Sequence, residues 1–135
     1  MVLEYTQGYA EMTQDEELVL CHLCTAKRKI SFSPFQKQLR RTTFYPELLQ
    51  IKEQAPFLYQ TGRILVFLYK NRAFQRISLL ETVDLLQLLV DKCRELKIKR
   101  LLLPIKTFLI EGIAVENVLS ALHRIDSEGV ELYYF

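Results

Sequence analysis

Two groups of side chains in this sequence are of types that could carry out chemistry. Cys21 and Cys24 form a Cys-X-X-Cys with His22 between them, and Cys93 and His123 lie far along the chain. Thiolates and imidazoles at such spacing hold zinc or exchange disulfides, but a zinc site needs about four ligands and no second pair follows. The pair also sits inside the apolar run Leu18–Cys24, where cysteine serves as a small buried hydrophobe. The sequence therefore assigns no metal and no redox chemistry. The second group lies in Leu101–Asn117 (LLLPIKTFLIEGIAVEN), which reads as a buried strand, a loop and a helix start. In an open α/β sheet, ligands bind where such a loop leaves the carboxyl end of a strand and meets a helix N-terminus. A loop that cradles phosphate is rich in glycine, and this one has only Gly112.

Composition bounds the rest. The chain has 135 residues, half of them hydrophobic, with 8 Phe and 7 Tyr against 4 Gly and 4 Pro. That suits one domain over residues 1–135 with a packed core. A net charge of +2 is too small to argue for nucleic acid by itself. No apolar run is long enough for a bilayer, and the acidic N-terminal segment is unlike a targeting peptide. Three unevenly placed cysteines fit a reducing compartment, nucleus or cytoplasm.

The elements that must position any site follow from periodicity and caps. Val2–Thr6 alternates as a short strand, and Leu18–Cys24 reads as a strand buried on both faces. Lys27, Arg28 and Lys29 form a basic loop before Ser33-Pro34, a helix start that leads to Arg41 through Lys37 and Arg40. Pro46 opens a second helix, Glu47–Gln54, which Pro56 ends. Ile64–Tyr69 is the strongest strand run, after the turn Thr61-Gly62. A turn at Lys70–Arg72 and a brief strand at Ala73–Ile77 come next. Ser78 and Glu81 form a capping box that opens the longest helix, Leu79–Leu96. Leu101–Leu103 is a strand; a helix from Val115 to Ser127 is terminated by Gly129, and Val130–Phe135 closes the sheet. The order ββααββαβαβ predicts a three-layer α/β/α domain around a mixed, mostly parallel sheet.

That order, with particular residues, resembles the macrodomain family. The nearest likeness is to its small branch that removes terminal ADP-ribose from glutamate and deacylates O-acyl-ADP-ribose. The matching pieces are Gln7-Gly8-Tyr9 after the first strand, Phe35–Leu39, Gly62–Ala73, the long helix with Cys93 near its end, and Val115-Glu116-Asn117. The resemblance implies a catalytic lysine at Lys70 and its acidic partner at Glu111, a Glu where the family has Asp. It also places a ligand cleft at Tyr9, Ser31, Thr107, Phe108 and Leu109.

Against that pattern the cleft is degenerate. Tyr9 replaces the aspartate that reads adenine, and the loops Lys29–Ser33 and Lys106–Ile110 lack the glycines that let backbone amides approach ribose and diphosphate. Phe108, Leu109 and Ile110, with Ile30 and Phe32, are expected to fill the space. Lys70 falls in an expected turn, where a solvated head is the ordinary state. Glu111 near a helix start is accounted for by the helix dipole.

The implied function is a non-catalytic macrodomain that binds or scaffolds another protein, with no cofactor, no metal and ADP-ribose excluded. Two alternatives remain open. One is a working hydrolase built on Lys70 and Glu111. The other is a nucleic-acid binder that uses Lys27, Arg28, Lys29, Lys37, Arg40 and Arg41 as one basic edge.

Overall fold

A strand buried on both faces must be flanked and covered, and Ile64–Lys70 is that strand. The computed structural model describes residues 2–7, 14, 17–25, 46, 50, 53–71, 77–105 and 113–135. They form six strands, β1 (Val2–Glu4), β2 (Val19–Thr25), β3 (Phe57–Thr61), β4 (Ile64–Lys70), β5 (Arg100–Leu103) and β6 (Glu131–Tyr134). Two helices accompany them, α1 (Leu79–Glu95) and α2 (Val115–Arg124). The sheet order is β1-β6-β5-β2-β4-β3. All neighbours run parallel except β3, an antiparallel edge strand against β4. The mixed, mostly parallel sheet is the expected one.

Leu65, Phe67 and Tyr69 of β4 face one main core with Cys21, Leu23, Leu101, Leu103 and Leu132. Helices α1 and α2 cover that face through Leu86, Leu89, Val90 and Cys93, and through Val118, Ala121 and Leu122. Leu18 and Leu102 pack on the opposite face with Tyr5, Leu20, Tyr133 and Phe135. Each large side chain buried this way contributes roughly 1.5–3 kcal/mol, more than a single helix cap supplies. The core, and not the caps, therefore fixes the sheet order. Among the described residues, no helix is long and apolar enough to cross a membrane.

The capping box forms as read from the sequence. Ser78 Oγ accepts from the Glu81 backbone N–H at 3.1 Å, and Glu81 Oε1 accepts from the Ser78 N–H at 3.3 Å. Several boundaries differ. The sequence reading has no strand at Phe57–Thr61, yet β3 forms there. It pairs with β4 through the two-residue turn Gly62-Arg63, whose first residue, Gly62, sits at φ 54°. Glycine in that position is what a type II′ hairpin requires. Glu53 and Gln54 are not helical, so the expected helix Glu47–Gln54 does not reach that far. Its remainder, the helix Pro34–Arg41 and most of the strand Ala73–Ile77 lie outside the described residues. Helix α2 ends at Arg124, and Gly129 (φ 83°) instead makes the turn into β6.

Helix α1 ends without a glycine. The Ile98 N–H donates to Cys93 O at 2.8 Å and the Lys97 N–H to Arg94 O at 3.1 Å, the paired bonds of a Schellman motif. Its left-handed residue is Lys97, at φ 59°. Beyond it, Arg94 donates to Glu128 O at 2.8 Å and to Asp126 O at 2.7 Å, which clasps the turn before β6 onto α1. A side chain at φ 59° is strained where glycine would not be. Lys97→Gly is expected to raise stability by about 0.5–1 kcal/mol in urea unfolding. A loss of stability would show that the left-handed residue does not limit the helix end.

Candidate functional site

In a parallel sheet the carboxyl ends of the strands share one edge, here Glu4, Thr25, Lys70, Leu103 and Tyr134. The chain leaves β2 toward β3 and β4 on one side, then returns through α1 to β5 on the other. Such a reversal opens a crevice at the carboxyl edge beside β2. Lys70 stands there, as the last residue of β4.

The sequence reading put Lys70 in a solvated turn. The structure corrects this: it belongs to β4 and is 1% exposed. Opposite it, β2 pairs Cys24 with Leu68 but Thr25 with Lys70, so β4 carries one more residue than β2 over that step. Such a bulge re-aims side chains that strict alternation would send to opposite faces. Accordingly Lys70 Nζ lies 5.5 Å from the centroid of the neighbouring Tyr69 ring. A cation over a desolvated ring gains up to about 2 kcal/mol, which offsets part of the cost of burying the ammonium.

Tyr69 and Lys70 line a pocket of about 230 Å³ between the start of β3, the end of β4 and the first turns of α1. Its apolar walls include Pro56, Ile77 and Leu85. Asn71 also lines it, and its Oδ1 accepts from the Ala55 N–H at 2.9 Å, which ties the exit of β4 to the start of β3. Glu81 and Asp84 of α1 complete the lining. Both are exposed, so their carboxylates sit at the rim. The sequence reading assigned Glu81 to the helix cap. The closeness of both to Lys70 was legible only from the rule that a helix following a parallel strand starts beside that strand's carboxyl end.

A second pocket, about 430 Å³, lies toward the β1 edge among Tyr5, Gln7, Gln14, Arg100 and Tyr133. The Tyr5 and Tyr133 rings meet edge to face at 6.1 Å, and the Arg100 guanidinium lies 5.2 Å from the Tyr133 ring centroid. The Tyr133 hydroxyl donates to Glu131 at 2.7 Å, which orients that wall. No sequence signal pointed to it.

Of the residues that the resemblance assigned to catalysis or the cleft, and of those forming the basic edge, the structure describes Lys70 alone. Glu111, Tyr9, Ser31, Thr107, Phe108 and Leu109 lie outside the described residues, as do Lys27, Arg28, Lys29, Lys37, Arg40 and Arg41. Cys21 is fully buried in the core, as expected for a cysteine acting as a hydrophobe, and His22 is buried beside it in β2. Among the described residues, no group of three or more His, Cys, Asp or Glu side chains could hold a metal.

Comparison with known proteins places this geometry on a familiar scaffold. No family model and no curated protein matches the sequence. Solved structures do. The chain is similar to the macrodomain of Mycobacterium tuberculosis DarG, with 17% identity and a TM-score of 0.66 over 99% of this chain and 97% of that one. It is likewise similar to the macrodomain of Thermus aquaticus DarG, with 16% identity and a TM-score of 0.63 over 100% and 97%. At such identities the likeness establishes the fold: a macrodomain α/β architecture on a mixed, mostly parallel sheet.

Cys93, in the last turns of α1, is fully buried and free. Burial pushes its thiol from 9.0 up to about 12, while the Arg94 charge acts in the opposite direction. A pKa raised on folding means that the native state keeps its proton after the unfolded chain has lost it. Stability from this group is thus complete below about pH 9 and declines as pH rises toward 12. Denaturant melts between pH 8 and 11 should show that decline in the wild type and a shallower one in Cys93→Ala. Equal slopes would mean that Cys93 is not the group responsible.

Proposed function

We propose that this chain is a degenerate macrodomain that serves as a non-catalytic protein-interaction or scaffolding module and does not take ADP-ribose. The observation that carries this reading is the loss, at the cleft positions of the sequence, of the groups that would hold ADP-ribose. Tyr9 and the glycine-free loops Lys29–Ser33 and Lys106–Ile110 remove the groups that would read adenine, ribose and diphosphate. The scaffold keeps its core; the site loses its ligand chemistry. Function resides in the site and not in the fold. The partner is another protein, and no cofactor is required.

One observation favours a second reading, an ADP-ribosyl-glutamate hydrolase or O-acyl-ADP-ribose deacylase. Lys70 is buried at the carboxyl edge, the dry environment that a lysine nucleophile requires. In that reading Glu111 is its acidic partner.

Two assays separate the readings. Calorimetric titration of wild type with ADP-ribose is expected to give no binding below about 1 mM, and micromolar affinity would overturn the proposal. In a discharge assay on ADP-ribosyl-glutamate, wild type and Lys70→Ala are expected to be equally inactive. Turnover by wild type that Lys70→Ala abolishes would establish the hydrolase instead.

A further inference from the structure

Two walls of the pocket at Lys70 are held with very different strength. One is α1, fixed to the core through Leu86, Leu89, Val90 and Cys93, each at most 1% exposed. The other is the stretch that enters β3, which contributes Ala55 and Pro56. The pairing of β3 with β4 begins at Phe57, opposite Leu68. Continued by two residues, that register would set Ala55 opposite Lys70, but the ladder stops short of this pair. The Ala55 N–H goes instead to a side chain, Asn71 Oδ1, at 2.9 Å. Glu53, Gln54 and Pro56 are exposed, so residues 53–56 bury little apolar surface that would hold them down. Segments of that kind open at far lower cost than a packed helix.

We propose that residues 53–56 are a strap over Lys70, latched by Asn71, which opens while the core stays folded and so controls the access of solutes to that lysine. Asn71 suits this role because it directly follows Lys70 at the exit of β4, and its side chain reaches the backbone sixteen residues earlier. Lys70 itself stays in β4 when the strap lifts, since the β2–β4 register and the core beneath it hold the strand in place. The strap concerns access to Lys70 and stands apart from whether the cleft takes ADP-ribose.

Three probes on the full chain test it: timed acetylation of Lys70, timed alkylation of the buried Cys93, and hydrogen exchange at the Ala55 amide. Asn71→Ala is expected to speed Lys70 acetylation and Ala55 exchange by about two- to tenfold, the effect of one ordinary hydrogen bond on a local opening equilibrium. Cys93 alkylation should not change. Asn71→Asp keeps an oxygen for the Ala55 N–H and should restore the protection of that amide. The strap is overturned if Asn71→Ala moves neither probe, or moves one without the other. It is also overturned if Lys70 and Cys93 speed up by the same factor, which marks unfolding of the core. Should Asn71→Ala fail to fold, wild type in urea below its transition decides the matter. A strap exposes little surface on opening, so Lys70 acetylation should stay flat with urea while Cys93 alkylation climbs. Parallel climbs would mean that Lys70 is reached only through unfolding of the core, and would overturn the proposal.

Discussion

An ammonium held out of water at the end of a central strand is the constraint around which this structure is arranged. β4 lies between β2 and β3 and is covered above and below, so Leu65 through Lys70 are all buried. A lysine in that position loses its hydration, and the surroundings must compensate. The bulge opposite Thr25 and the Tyr69 ring beneath Nζ are the visible part of that compensation. They depend in turn on the β2–β4 register, which the core beneath Phe67 and Leu23 enforces. Lys70 is thus positioned by the whole sheet, and moving it would require moving the core.

The same architecture separates scaffold from chemistry. The crossover from β4 through α1 to β5 sets the first turn of α1 at the pocket that Lys70 also lines. Here it carries a capping Glu81 and, one turn on, Asp84.

The sequence announced the parts of this fold that local physics decides. Ile64–Tyr69 had no other way to satisfy its apolar run than a buried strand. Ser78 and Glu81 specified the helix start. What escaped was set by tertiary context. β3 follows Pro56, which reads as a stop, and only pairing with β4 makes Phe57–Thr61 a strand. Lys97 adopts a left-handed backbone that favours glycine, held there by the hydrogen bonds closing α1. The Arg94 clasp joins residues more than thirty positions apart, beyond any local signal. At the site, a lysine followed by asparagine and arginine looks like a turn, and nothing within three residues reveals a bulge that keeps it in the strand.

The burial of Lys70 can be measured directly by timed acetylation of the native protein, read out peptide by peptide in mass spectrometry. Lys92, with 41% of its side chain exposed, provides an internal reference. Lys70 is expected to stay unmodified while Lys92 reacts, and to react at a comparable rate once the chain is unfolded in denaturant. Equal labelling of the two lysines in the native state would contradict a buried ammonium at the end of β4.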